Sequence, residues 1–427
     1  MLCKGMSLAR TLPVDSPVYR IAMFLALVVP VALILGRGLA DSLMGVVSIL
    51  FLGYSAYTRS WEWVKTKWFL WASITCAYMI VSALCADFDK AEALQSAVSW
   101  YRYPLFAMAF SAWILPPLRT QKYLAGGLIM LLVCVAIDTL WQFHFGVSLS
   151  GRIKPDYQGR LTGPFNKMVA GVYLQRLVWP AIGFAFAWAM RGTKDIKRIV
   201  LAILFAAFIG ITILITGERF ALALFGLGAL LFTIGARGLR APLAITGIVG
   251  AVTAIAMILS IPTLHERIVS NTGYIIDNLS RSGYVAVWTN GLTAWKYSPV
   301  MGIGLANYVP MCEQLGKASG FLNENRSMVE LKCTRHPHNI YIEWLAETGL
   351  IGLALFLGLI VLWMRQVWTN LRNREIPLSE YYVHLGCAVA LATLIWPVVG
   401  SMSFFSNFSA ILFWWVLGLV LTSPKRL

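Results

Sequence analysis

The sequence predicts an all-α polytopic membrane protein of about twelve transmembrane helices, with one large periplasmic loop subdomain. Three observations lead there. Hydrophobic residues make up 59% of the 427 residues and charged residues only 13%, with a mean hydropathy of +0.71. A soluble domain carries about 25% charged residues, so lipid is the main solvent of this chain. Apolar runs of about 17–25 residues, each long enough to cross a hydrocarbon core of about 30 Å, recur along nearly the whole length. The lysines and arginines between them are dense in alternate connections, which is the pattern of cytoplasmic loops.

The candidate spans fall at approximately 20–36, 42–58, 68–86, 100–117, 121–143, 168–190, 198–216, 219–236, 241–260, 345–367, 382–402 and 404–423. The polar start, with Lys4 and Arg10, runs into an apolar segment too long for a signal-peptide core, so no cleavable leader is expected. One set of connections holds Arg59, Lys65 and Lys67; Arg119 and Lys122; Arg191, Lys194, Lys197 and Arg198; Arg237 and Arg240; and Arg365, Arg372 and Arg374. Both termini belong with this set, the C-terminus through Lys425 and Arg426, and are expected in the cytoplasm. The opposite face has short turns near Arg37, Gly217 and Ser401 and three longer segments, about 87–99, 144–167 and 261–340. There is no internal repeat, so residues 1–427 read as a single membrane domain, with 261–340 as the large loop within it. The net charge of +16 follows largely from this topology and needs no nucleic-acid partner, because cytoplasmic cations orient spans and meet anionic membrane lipids.

The informative charges are those on the other face. The 144–167 loop holds Arg152, Lys154, Arg160 and Lys167 against Asp156 alone, which suggests an anionic ligand or contact with lipid phosphates. Thr216-Gly217-Glu218-Arg219 joins two spans so tightly that Arg219 must sit at the membrane boundary. A cation there pairs with Glu218, snorkels to headgroups, or offers a fixed guanidinium to phosphate oxygens. Arg335-His336-Pro337-His338-Asn339 ends the long loop just before an apolar helix, placing His338 at a similar depth. Histidine is a natural general base near neutral pH, and a neutral hydrogen-bonded side chain is the lesser alternative. His336 and His338 lack the i, i+4 spacing of the common zinc helix motif. His144 and His384 read as interface or span residues, and His265 has no obvious partner.

Asp87-Phe88-Asp89 is a D-x-D on the outer face, able in principle to hold a divalent cation beside phosphate. Two acids that open an interfacial helix also stabilise its N-terminus, and no metal is expected. Cys3, Cys76, Cys85, Cys134 and Cys387 read as small fillers or lie at the cytoplasmic start. Cys312 and Cys333 share the long outer loop and are a disulfide candidate in an oxidising compartment.

His338-Asn339, nine residues, then Gly349-Leu350-Ile351-Gly352 resembles the H-N-x9-G-x-x-G signature of the O-antigen ligase and polymerase family. The Arg281, Trp288, Pro299 and Gly302-Ile303-Gly304 series is similar to the family segment just upstream. Arg219 resembles its outer-face arginine, and Gly159-Arg160-Leu161-Thr162-Gly163-Pro164-Phe165 resembles another family element. The likeness covers roughly 150–365, and the wider plan resembles the multi-span GT-C glycosyltransferases. The resemblance implies a bacterial inner-membrane transferase working on the periplasmic face. In the ligase branch it moves glycan from undecaprenyl pyrophosphate to a sugar hydroxyl of lipid A–core. It further implies His338 as base, with Arg219 and Arg281, joined by Arg160, Arg152 and Lys154, holding the pyrophosphate. Asn339 and His336 would orient the base or the acceptor. An O-antigen polymerase or a protein O-oligosaccharyltransferase shares the motifs, and a lipid-linked glycan transporter shares the span plan. A transporter should place its critical groups near the midplane, whereas these cluster at one boundary.

Overall fold

The computed structural model describes residues 16–155, 159–192, 195–278, 283–318, 336–398 and 402–422. Among these, the chain is helical, with an isolated bridge between Val147 and Ile153 in place of any strand. The helices are α1 (Pro17–Leu35), α2 (Arg37–Thr58), α3 (Lys67–Leu84), α4 (Lys90–Trp100), α5 (Arg102–Ala109), α6 (Leu118–Phe145), α7 (Ala170–Ala189), α8 (Ile196–Ile215), α9 (Arg219–Gly235), α10 (Arg240–Ser260), α11 (Pro262–Leu264), α12 (Asn271–Asp277), α13 (Gly283–Tyr297), α14 (Tyr308–Ala318), α15 (Ile340–Arg372), α16 (Leu378–Leu394) and α17 (Asn407–Val420).

Every one of the apolar runs read from the sequence contains a helix, and among the described residues seven helices are long and apolar enough to cross a membrane. They are α1, α2, α3, α6, α8, α10 and α15. The remaining runs differ for visible reasons. α9 and α16 have 17 residues, at the lower end of the range of about 17–25 that a bilayer core asks for, and α17 has 14. α7 is diluted by Gln175 and Arg176, and the 100–117 run divides into α5 and a π-turn at Phe110–Ile114.

α17 is apolar all round and buried from Phe408 to Val420, so it is the core of the bundle and not a lipid-facing helix. α2, α5, α7 and α16 pack around it. Its Trp415 indole donates to the Ala26 carbonyl at 3.0 Å. Pro30 lacks the N–H that would have closed that turn of α1, so the indole satisfies a carbonyl that α1 itself cannot. α7 and α16 cross at Gly183 and Gly386, where a Cβ on Gly183 would lie 2.8 Å from the Tyr382 carbonyl oxygen. Small residues at that crossing let two backbones touch, which is how helices associate when apolar burial gives no net gain over lipid.

One end of the bundle is tied by Tyr381 Oη to Gly235 O (2.7 Å), Tyr382 Oη to Arg237 O (3.0 Å) and Arg237 Nη2 to Leu371 O (2.8 Å). The end of α9, the end of α15 and the start of α16 therefore meet there. The start of α9, the start of α15 and the end of α16 must lie together at the opposite end. Asn339 Nδ2 donating to Pro397 O (2.9 Å) and Tyr341 Oη to Ile395 O (2.6 Å) close that end.

Candidate active site

Loop 144–167 is folded by one buried side chain. Gln142, near the end of α6, donates to Arg152 O (3.0 Å) and Thr162 Oγ1 (2.7 Å) and accepts from the Thr162 and Gly163 N–H groups (3.0 and 2.9 Å). Leu161 N then donates to Thr216 O at 3.2 Å, laying the loop against the turn between α8 and α9. The Gly159–Phe165 element therefore has a mechanical role: it presents Arg160 to Glu218.

Glu218 is the organiser that the sequence did not disclose. Its carboxylate accepts from Gly171 N (3.1 Å) and Val172 N (3.2 Å) in the first turn of α7, where the helix dipole favours an anion. Arg160 Nη2 stands 3.7 Å from Glu218 Oε2 and also donates to Met168 O at 2.7 Å. Arg267, in a π-turn after α11, donates through Nε to Gly217 O at 3.2 Å. Arg176 on α7 also interacts electrostatically with Glu218. Three arginines thus surround one carboxylate. Arg160 Nε and Arg176 Nη1 are buried without a hydrogen-bond partner among the described residues. Buried donors left over in a cationic cluster fit an anionic ligand. Arg219 takes a course of its own, donating to Thr272 Oγ1 at 3.1 Å and making no ion pair with Glu218 among the described residues.

Burial pushes the Glu218 carboxyl up to about 7, against the lowering effect of Arg160, the two N–H groups and Arg267. Unfolded, it loses its proton near the ordinary carboxylate value of about 4.3, so the folded chain binds more protons in between. Stability should fall as pH rises through that window. Melting of the detergent-solubilised protein from about pH 4.5 to 7.5 checks this. The wild type should lose stability with rising pH and Glu218→Gln should flatten the trend; identical slopes would contradict the assignment.

The histidine segment is built differently. His338 has a left-handed backbone (φ 54°), and its ring centroid lies 4.2 Å from that of His336. Asn339 is the N-cap of α15, accepting from Tyr341 N (2.9 Å) and Ile342 N (3.2 Å). It holds the chain at His338 from behind. α13 lies across Pro337 and Ile342 at Gly291.

The glycine motifs turn out to be partners. α15 is broken at Gly349 (φ 67°, ψ −169°). Ile303 N donates to Ala346 O (3.1 Å) and Gly304 N to Glu347 O (2.9 Å), while Leu350 N donates to Pro299 O (3.0 Å) and Ile351 N to Val300 O (3.4 Å). Segment 299–304 thus makes the hydrogen bonds that the break takes from α15, as unwound backbone at membrane depth requires. Buried Glu343 and Glu347 fasten the neighbours, accepting from Phe404 N (2.7 Å) and Ala306 N (3.2 Å).

Among the other expected site residues, Arg152 is exposed, and the Lys154 ammonium lies 5.6 Å from the Phe143 ring centroid. Arg281, Arg335 and Cys333 lie outside the described residues. Cys312 is disulfide-bonded, and Cys76, Cys85, Cys134 and Cys387 are free thiols. Asp89 caps α4 by accepting from Glu92 N at 3.0 Å, which accounts for one acid of the D-x-D. The arginine cluster and His338 thus share one end of the bundle, held there by different neighbours.

Residues 201–357 match the family model described as O-antigen ligase. Over that segment the chain is similar to the O-antigen ligase family. The match covers rather more than a third of the chain and includes Arg219, Arg267, the 299–304 segment, His338 and Gly349. Arg160 and Arg176 precede it. No curated protein matches the chain.

Proposed function

We propose that this protein is an O-antigen ligase. It would transfer glycan from undecaprenyl pyrophosphate to a sugar hydroxyl of lipid A–core in lipopolysaccharide biosynthesis. It would work in a bacterial inner membrane, with the site on the periplasmic face and both termini in the cytoplasm. The observation that carries this reading is the arginine cluster around Glu218, at the same end of the bundle as His338 in a chain similar to this family.

The chemistry asks little of the protein beyond charge. The acceptor hydroxyl attacks the anomeric carbon, the C–O bond to the pyrophosphate breaks, and undecaprenyl pyrophosphate leaves with the bonding pair. His338 takes the hydroxyl proton. Pyrophosphate is already a good leaving group, so guanidinium donors that stabilise its growing charge can replace a general acid. Arg219 and Arg160 supply them, with Arg176 and Arg267 completing the positive field and Arg152 and Lys154 extending it; Arg281 is assigned to the same task by the family resemblance alone. Asn339 and His336 orient His338. No divalent cation is required in this scheme.

Arg219→Ala should raise the KM for the lipid-linked donor about tenfold or more, with the acceptor KM little changed, since a charged hydrogen bond contributes about 1.5–3 kcal/mol. Steady-state transfer in proteoliposomes measures both. An unchanged donor KM would return Arg219 to its contact with Thr272 as a purely structural residue. In the same assay a chelator should leave the rate intact; loss restored by magnesium would overturn the metal-free scheme.

A further inference from the structure

A cavity lies at the other end of the bundle, where the Lys and Arg distribution points to the cytoplasm. It has a volume of about 670 Å³ and sits between the first half of α6, the end of α7, the start of α8 and the start of α16. That size is within the range of about 300–1,000 Å³ typical of small-molecule sites. Its wall is apolar, formed by Ile129, Phe184, Leu201, Phe205 and Val383 among others, and its rim carries two cations, Lys122 and Arg191. Neither cation has a side-chain hydrogen bond or ion pair among the described residues, unlike nearby Arg198, which pairs with Asp195 at 3.0 Å. The cavity opens laterally, since Leu118, Trp188 and Leu201 in its wall are 43%, 44% and 54% exposed at the surface of a membrane bundle.

The polar groups inside limit what can enter. Gln121 Oε1 and Glu380 Oε1 are buried acceptors without a hydrogen-bond partner among the described residues. Glu380 stands 3.9 Å from His384 Nε2 on the next turn of α16. A phosphate pressed to the floor would meet the Glu380 carboxyl, so an anionic group belongs at the rim with Lys122 and Arg191. A hydroxyl donor is what Gln121 and Glu380 lack. An apolar cavity with cations at its rim and acceptors beside them suits an amphiphile, and basic pockets between helices on this side of a membrane hold anionic headgroups.

We propose that this cavity is a binding site for one anionic phospholipid of the cytoplasmic leaflet. An acyl chain lies in the cavity beside Ile129 and Phe205, and the headgroup phosphate rests on Lys122 and Arg191. The site is independent of the transfer reaction. Its charge complementarity selects phosphatidylglycerol-type lipids over zwitterionic ones.

Native mass spectrometry of the purified full-length protein, titrated with phosphatidylglycerol or phosphatidylcholine, tests it. The wild type should retain phosphatidylglycerol more tightly by about thirtyfold, the ratio expected for two basic residues near a membrane surface. Lys122→Gln combined with Arg191→Gln should abolish that preference. Gly126→Phe should displace both lipids while leaving the charges in place, because Gly126 lines the cavity and has nothing within 4 Å of an added Cβ. Equal retention of the two lipids by the wild type, or undiminished preference in either variant, would overturn the proposal.

Discussion

Replacing His338 with glutamine is expected to lower glycan transfer by about 10²–10⁴-fold, the usual contribution of a positioned general base. The protein should remain inserted and folded, because neighbouring groups anchor the segment. Asn339 caps α15 and bonds Pro397, and Tyr341 reaches Ile395. The backbone of His338 offers a sharper version. Its φ of 54° is a conformation that glycine adopts freely and that costs other residues about 1–2 kcal/mol. His338→Gly should therefore melt no lower than the wild type while losing transfer to the same degree. Loss of both stability and activity in the glycine variant would make the histidine structural. Near wild-type transfer in either variant would remove it from the proton-transfer role.

Gly349→Ala should act through the fold instead. At φ 67° and ψ −169° the residue occupies a region essentially reserved for glycine, with strain of about 1–3 kcal/mol for any other. An added Cβ would also strike the Val300 carbonyl and crowd the Gly302 nitrogen. Segment 299–304 cannot retreat without giving up the bonds from Leu350 and Ile351, each contributing about 0.5–1.5 kcal/mol. A loss of about 3 kcal/mol or more is expected, seen as a lower melting temperature and reduced folded yield in detergent. Gly302→Ala should behave alike, since its Cβ would meet the Glu347 carbonyl at 2.5 Å. A Gly349→Ala protein that melts like the wild type would mean that the break in α15 is not under this constraint.

The membrane class was legible because hydropathy is a local property of the chain. What surrounds each helix was less so. Apolarity marks a segment as shielded from water but does not distinguish lipid from protein, and α17 is as apolar as any span while buried on every side. The site was half legible. Arg219 and His338 stand out because each sits beside the end of an apolar run in the sequence. The mode of support did not show, since it depends on contacts between distant segments. Glu218 looks like the natural partner of its neighbour Arg219, yet it faces Arg160 and the start of α7. Arg176 sits mid-helix and Arg267 in the long loop, neither with a motif to mark it. The two glycine motifs look like separate signatures and are one hydrogen-bonded joint, some 45 residues apart.

The central claim is tested most directly by the lipopolysaccharide profile of a strain of the source bacterium that lacks this chain, complemented with the wild type or with His338→Gln. The deletion and the glutamine variant should both show free lipid A–core, with polymerised glycan accumulating on the lipid carrier, and the wild type should restore the capped ladder. Core carrying a single repeat would mean that the chain polymerises glycan, and an unaltered ladder in the deletion strain would contradict a role in this transfer altogether.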